Sequence, residues 1–265
     1  MSEFFVGYLA TPPGTARFLR GVIAGLGLLA ITMALLLLRG QASFATAAFE
    51  YGKVRTFEGT ISTHPYPSLG VPRPGTTGAD RYSRYLLVAA GKHGADTEVA
   101  AFEGKPVRLQ GFLIYRGGGT MIEIVPGSIV GTGAALAVEE NVKDSGTVTL
   151  TGEIVDSKCY LGVMNPGQGK VHRDCAARCL SGGIPPLFIA DHDGTQLLLV
   201  DKHGKALEPD QLREFVAQPL TLSGHLARKG AQNLLMIDPT TLRHAAANNH
   251  SRAVTFDRLS NLLGK

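Results

Sequence analysis

The chain has no tryptophan and only three cysteines, and aromatic residues make up 7% of its 265 positions. Charged residues account for 18% of the sequence, and the lysines and arginines behind the net charge of +4 are scattered rather than grouped. Proteins that bind nucleic acid usually concentrate positive charge, and those that bind single strands add stacked aromatic rings. We therefore predict no nucleic-acid partner.

Familiar catalytic and cofactor motifs are also missing. The sequence contains no CxxCH, no P-loop, no GxSxG and no HExxH. No pair of carboxylates and no nucleophile with an adjacent base stands out, so no residue is predicted to be catalytic. These absences favour a non-catalytic accessory or binding protein.

The longest apolar run, GVIAGLGLLAITMALLLL at residues 21–38, has eighteen residues without a charge. A helix rising 1.5 Å per residue needs about 20 such residues to cross a hydrocarbon core about 30 Å thick. We predict an N-terminal tail at 1–17 and a transmembrane anchor at 18–39. The alternative is a cleaved signal peptide with a small-residue cleavage site at Ala45-Thr46-Ala47, although the run is longer than the usual signal-peptide core.

The charges around this run do not fix its orientation. The flanking basic residues are Arg17 and Arg20 before it, and Arg39, Lys53 and Arg55 after it. Because a single early span before a folded domain is most often a signal anchor, we predict a single-pass protein of a bacterial inner membrane with its bulk in the periplasm. The membrane is thus a predicted partner. Gly21 and Gly25 form a small-xxx-small pair, which predicts a homodimer through this helix.

Two stretches beyond the apolar run resemble each other at a constant offset of 113 residues. They are FEGKPVRLQGFLIYRGGGTMIEIVPGSI from Phe102 and FVAQPLTLSGHLARKGAQNLLMIDPTTL from Phe215. Further upstream, FEGTIS at 57–62 resembles LTGEIV at 150–155, and LGVPRPG at 69–75 resembles LGVMNPG at 161–167. We predict two copies of one β module at 52–130 and 146–244, joined by a linker at 131–145 and followed by a C-terminal tail at 245–265.

Each copy shows about five short strands separated by Gly, Pro and Asp, a pattern that resembles the OB-type barrel, a five-stranded Greek-key barrel. The predicted fold class is mostly β, with an N-terminal transmembrane helix followed by two tandem OB-like barrels. Glycines in the predicted strands are expected to be structural, at bulges or barrel corners, and these are Gly59, Gly111, Gly152 and Gly224. One anchor before OB-type barrels also resembles the layout of periplasmic haem chaperones, although their haem-bearing histidine motif is not recognisable here.

All three cysteines lie in CYLGVMNPGQGKVHRDCAARC at 159–179. HRDCAARC is predicted to be helical, which places His172, Cys175 and Cys179 at i, i+3 and i+7 on one face. Cys159, at the end of the predicted strand EIVDSKC, is expected to lie beside them. The first copy has Pro67 where the second has Cys159, so the barrel itself is not expected to need the cysteines.

Three hypotheses for this cluster remain open. Three cysteines and one histidine are a known ligand set for Zn²⁺, and the same donors suit other soft metals such as Cu(I) or an iron–sulfur centre. In an oxidising compartment, one disulfide from Cys159 to either helix cysteine would leave a spare thiol. The third hypothesis is a reactive thiol.

The strand Asp156-Ser157-Lys158-Cys159 and the CAARC segment together resemble short secreted bacterial OB-like modules, a resemblance that supports the fold and implies no function. From these observations we predict a membrane-anchored extracytoplasmic accessory or binding protein that serves a membrane-bound redox complex. The alternatives are a metal or haem chaperone and a thiol-dependent redox protein.

Overall fold

The computed structural model describes residues 7, 11–40, 46–75, 81–133 and 142–244. The chain forms two compact units, Met1–Ala45 and Thr46–Lys265. Most of the predicted linker at 131–145 and the whole predicted C-terminal tail at 245–265 lie outside the described residues. The domain boundaries read from the sequence therefore stay predictions.

The first unit contains one long helix, α1 (Pro13–Gly40), which extends beyond the predicted bounds of 18–39. Its 28 residues correspond to a length of about 42 Å, and its most apolar 18-residue window has a mean hydropathy of 2.5. None of its residues is buried, and Thr32 donates its hydroxyl to the Leu28 carbonyl at 2.8 Å, inside the helix. By length and composition, this helix could be a membrane anchor or a signal sequence.

The first barrel is a closed sheet of five main strands. Along β5, buried Val107 and Leu109 alternate with exposed Arg108 and Gln110, which is the period-two pattern of a strand with one face in the core. Four of the five strand pairs are antiparallel and one, β4 with β6, is parallel. The elements are β1 (Ala47–Phe49), β2 (Arg55–Ser62), β3 (Ser68–Pro72), β4 (Tyr82–Val88), α2 (Asp96–Val99), β5 (Pro106–Arg116), β6 (Gly119–Ile124) and β7 (Val130–Gly131).

The second barrel repeats this arrangement. Strands β8, β9, β10, β12 and β11 pair in that order and close through β11 with β8, again with one parallel pair, β10 with β12. The elements are β8 (Val142–Asp156), α3 (Arg173–Ser181), β9 (Pro186–Ala190), β10 (Gln196–Asp201), α4 (Pro209–Leu212), β11 (Pro219–Lys229), β12 (Gln232–Ile237) and β13 (Arg243–His244). The predicted fold class, two five-stranded barrels after an N-terminal apolar helix, is confirmed.

The internal repeat read from the sequence agrees with the structure in the C-terminal hairpin of each barrel and disagrees with it at the LGV segments. β5 and β11, and likewise β6 and β12, begin and end 113 residues apart. The prediction that the two LGV segments are structurally equivalent is wrong, because Leu69 lies in strand β3 whereas Leu161 lies in a helical turn after β8. The true counterpart of β3 is β9, so Pro67 does not occupy the position of Cys159.

Two of the predicted structural glycines mark equivalent close approaches in the two barrels. A Cβ atom on Gly59 would lie 2.5 Å from the Gly70 carbonyl oxygen, and one on Gly152 would lie 2.1 Å from the Ile189 carbonyl oxygen. Both glycines sit in the first strand of their barrel, against the second strand. Glycine is therefore required there by the packing of neighbouring backbones.

The two barrels share a buried region in addition to their own cores. One apolar cluster fills the first barrel, another fills the second, and a third combines residues of both, including Ile114 and Met121 with Val155 and Leu187. Tyr66 is part of this shared cluster: its hydroxyl donates to the Leu199 carbonyl at 2.9 Å and accepts from the Leu207 amide at 3.0 Å. The barrels thus form one compact unit.

Candidate metal centre

The cysteine-containing segment is an insertion between the first two strands of the second barrel. Residues 157–185 connect β8 to β9, whereas only residues 63–67 connect β2 to β3 in the first barrel. The insertion begins with a helical turn, Cys159–Val163, and continues through a short turn, Lys170–His172, into α3. The predicted helix is therefore present, with Cys175 and Cys179 inside it and His172 at its N-terminal boundary.

The three cysteines are free thiols that lie close together. The Cys159 sulfur is 4.0 Å from that of Cys175 and 3.9 Å from that of Cys179. Cys159 and Cys179 are buried, with 4% and 1% exposure, whereas Cys175 is partly exposed. A disulfide would require sulfurs about 2.05 Å apart, so these separations are those of neighbouring, unbonded sulfurs.

The histidine of the predicted set is buried beside them. His172 is 2% exposed, and its Nε2 lies 2.8 Å from Oδ2 of the fully buried Asp156. The other carboxylate oxygen, Oδ1, accepts a hydrogen bond from the Cys159 amide at 2.9 Å. Nδ1 of His172 is buried and has no hydrogen-bond partner among the described residues. In the tautomer in which Nε2–H donates to this carboxylate, Nδ1 carries the lone pair that could accept a metal.

These side chains form two overlapping groups with the spacing of metal ligands. Ligand atoms of Cys159, His172 and Cys175 all lie within 4.8 Å of one another, and so do those of Asp156, Cys159 and Cys179. Cys159 belongs to both groups. The cluster predicted from sequence could therefore hold a metal ion.

The hydrogen bond between the two buried sulfurs gives them different acidities. It raises the pKa of the Cys159 thiol, with burial acting in the same direction, and it lowers the pKa of Cys179. These opposite directions make Cys179 the more acidic of the two thiols. Thiolates are the form in which cysteine binds metals.

The first barrel also contributes to the site, through the loop after β4. Nζ of Lys92 donates a hydrogen bond to the Cys175 sulfur at 2.8 Å and lies 3.8 Å from that of Cys179. The bond to Cys175 raises the pKa of Lys92, which keeps the ammonium charged. The Gly94 amide donates to the Gly182 carbonyl at 2.8 Å, which joins this loop to the C-terminal end of α3.

A buried lysine fixes the same loop from the other side. Lys158, only 3% exposed, forms an ion pair with Glu123 at 2.6 Å and donates to the carbonyls of Ala89 at 2.8 Å and Gly91 at 2.6 Å. Glu123 is in β6 of the first barrel, so this network crosses between the barrels. The loop that carries Lys92 is therefore held at both ends.

The four predicted site residues are distributed over these two overlapping groups, with His172 in one and Cys179 in the other, and sequence reasoning missed their partners. Asp156 and Lys158 lie in the Asp-Ser-Lys-Cys segment, where the available signal was a pair of charged residues just before a cysteine. Lys92 gave no signal, because it is 83 residues from Cys175 in sequence.

Comparison of the chain with protein-family models, with curated proteins and with solved structures finds no match.

Proposed function

We propose that this chain is a membrane-anchored metal-binding protein whose second barrel holds Zn²⁺ at Cys159, His172, Cys175 and Cys179. Three thiolates and one imidazole are a ligand set of structural zinc sites, and zinc accepts it in tetrahedral geometry. Four protein ligands leave no open position for a substrate, so the proposed role is binding and not catalysis.

The spacing of the sulfurs is the observation that carries this proposal. Two thiolates on one tetrahedral zinc, each with a Zn–S bond of about 2.3 Å, are about 3.8 Å apart. The Cys159 sulfur lies 4.0 Å and 3.9 Å from the other two, within a few tenths of an ångström of that value. The buried Asp156–His172 pair adds the carboxylate that orients a ligating histidine in many zinc sites.

The long apolar helix supports the rest of the proposal. We place α1 across a bacterial inner membrane with the two barrels on the periplasmic side, where a metal-loaded domain could serve a membrane-bound redox complex. A homodimer through α1 belongs to the same proposal. Cys175 is partly exposed, a feature that a chaperone needs if it hands its metal to a partner.

A thiol-dependent redox role is the second candidate, and the sulfur positions favour it as well. In an oxidising compartment Cys159 is close enough to either α3 cysteine to form a disulfide after a shift of about 2 Å. Metal binding and the disulfide exclude each other, because a bonded pair of sulfurs cannot supply two thiolates.

Metal analysis of the full-length protein, purified in detergent without added reductant, separates these two candidates. We expect one equivalent of zinc per chain and three thiols that react with an alkylating agent only after the zinc is chelated. Cys159→Ser and His172→Ala should each abolish or greatly weaken binding, whereas His203→Ala, which changes an exposed turn histidine, should leave the zinc content unchanged.

A different set of results would contradict the metal proposal. A chain that carries no zinc, fails to bind Co²⁺ after reduction, and has one stable disulfide with a single reactive thiol would contradict the metal proposal and support the redox candidate.

A further inference from the structure

We infer that Lys92 of the first barrel is a positioning residue of the metal centre: it donates a hydrogen bond to a ligand sulfur, so the centre is complete only when both barrels are docked. This inference rests on the proposed metal-binding function. Its geometric basis is the 2.8 Å contact from Nζ of Lys92 to the Cys175 sulfur, with the Cys179 sulfur at 3.8 Å.

The charge of the ligand set explains why an ammonium belongs there. Three thiolates and a neutral imidazole around Zn²⁺ carry a net charge of −1, and the nearby carboxylate of Asp156 adds another negative charge. A lysine ammonium offsets part of this excess, and its N–H group stabilises the sulfur to which it donates. Because Lys92 is exposed, salt should screen part of this effect.

The backbone around Lys92 is fixed against the helix that carries two of the ligands. The carbonyl oxygen of Lys92 is so near to Gly182 that a Cβ atom there would lie 1.8 Å from it. The Gly94 amide bonds to the Gly182 carbonyl, and Lys158 holds the carbonyls of Ala89 and Gly91. A loop restrained at these points presents its lysine to the sulfurs without a large loss of conformational freedom on metal binding.

The internal repeat supplies a matched control lysine. Lys202-His203-Gly204 lies in the turn directly after β10, the third strand of the second barrel, and Lys92-His93-Gly94 lies in the loop after β4, the third strand of the first. Lys202 is exposed and forms an ion pair with Asp238 at 3.3 Å, away from the cysteines. Removing its charge alters the net charge of the protein by the same amount as removing that of Lys92.

The test compares full-length wild type with Lys92→Met, Lys92→Arg and Lys202→Met. Zinc affinity is measured by competition with a chelator, and the sulfur-to-metal charge-transfer bands of the Co²⁺ forms are recorded. For Lys92→Met we expect affinity about tenfold weaker at low salt, a smaller difference at high salt, and a charge-transfer band at lower energy, because an unbonded thiolate donates more strongly. Lys92→Arg should recover most of both properties, and Lys202→Met should match the wild type.

Two failures can be told apart. If the wild type binds neither Zn²⁺ nor Co²⁺, the proposed function itself is wrong. If the wild type binds zinc and Lys92→Met binds it as tightly, with an unshifted band, the metal centre stands and the role of Lys92 is overturned. The thermal midpoint of each metal-free variant is recorded as well, and a weaker affinity caused by unfolding, without a shifted band, would also overturn that role.

Discussion

Replacing Lys158 by methionine should destabilise the metal-free protein strongly, because the buried carboxylate of Glu123 would lose its ion-pair partner and two carbonyls would lose a donor. Side-chain exposure is 3% for Lys158 and 9% for Glu123, so water can replace little of what is lost. Removing one partner of a buried ion pair typically costs about 3–5 kcal/mol of the free energy of unfolding. At about 2–4 °C per kcal/mol for a unit of this size, the thermal midpoint should fall by about 6–20 °C.

The assay is thermal unfolding of the full-length protein in detergent with a chelator present, followed by far-UV circular dichroism. Glu123→Gln in the same background completes a double-variant cycle, and the double variant should be less destabilised than the sum of the single ones. Lys202→Met is the control, because its exposed ion pair with Asp238 should contribute less than about 1 kcal/mol. A Lys158→Met midpoint no lower than that of Lys202→Met would refute the network between the barrels.

Three further predictions concern the centre and the barrel around it. Asp156→Asn should weaken zinc affinity by about 10–100-fold in chelator competition, because His172 loses its carboxylate partner. An unchanged affinity would contradict the assignment of His172 as a ligand. Gly152→Ala should lower the free energy of unfolding by about 1–3 kcal/mol, because the new methyl group would clash with the Ile189 carbonyl. Gly70→Ala is the control and should cost far less, because a Cβ atom at Gly70 would lie 3.7 Å from its nearest neighbour. Equal losses of stability in the two variants would contradict the close approach at Gly152. Iodoacetamide should label the zinc-loaded protein slowly, and after a chelator has removed the zinc it should label up to three cysteines, as measured by intact mass. Equal labelling rates with and without zinc would contradict thiolate ligation.

The parts of the fold that sequence predicted well are those with a strong local pattern. The hairpins β5–β6 and β11–β12 have alternating apolar residues around a glycine turn, and their 113-residue offset holds to the residue. The LGV segments were wrongly matched because a three-residue apolar motif can be buried equally well in a strand and in a helical turn. Leu69 is fully buried in a strand and Leu161 is 1% exposed in a helical turn, so burial alone could not distinguish them.

In the candidate site, too, sequence predicted the residues that belong to a local pattern and missed a residue brought in by tertiary packing. The spacing of His172, Cys175 and Cys179 predicted a short helix that carries both cysteines, and the structure places the Cys159 sulfur 3.9 Å from that of Cys179. Lys92 could not be found this way, since its contact depends on how two barrels dock and not on any local pattern. The shared apolar cluster that determines the docking uses Ile114 and Leu187, which in sequence are ordinary core residues of separate strands.

X-ray absorption at the zinc edge of the purified full-length protein tests the metal centre most directly. Ligation by Cys159, His172, Cys175 and Cys179 predicts one zinc per chain, with three sulfur neighbours at about 2.3 Å and one nitrogen neighbour at about 2.0–2.1 Å. Cys175→Ser should reduce the sulfur count by one. Zinc surrounded only by oxygen and nitrogen, or a protein that retains no zinc while Cys159 is bonded to Cys175 or Cys179, would contradict it.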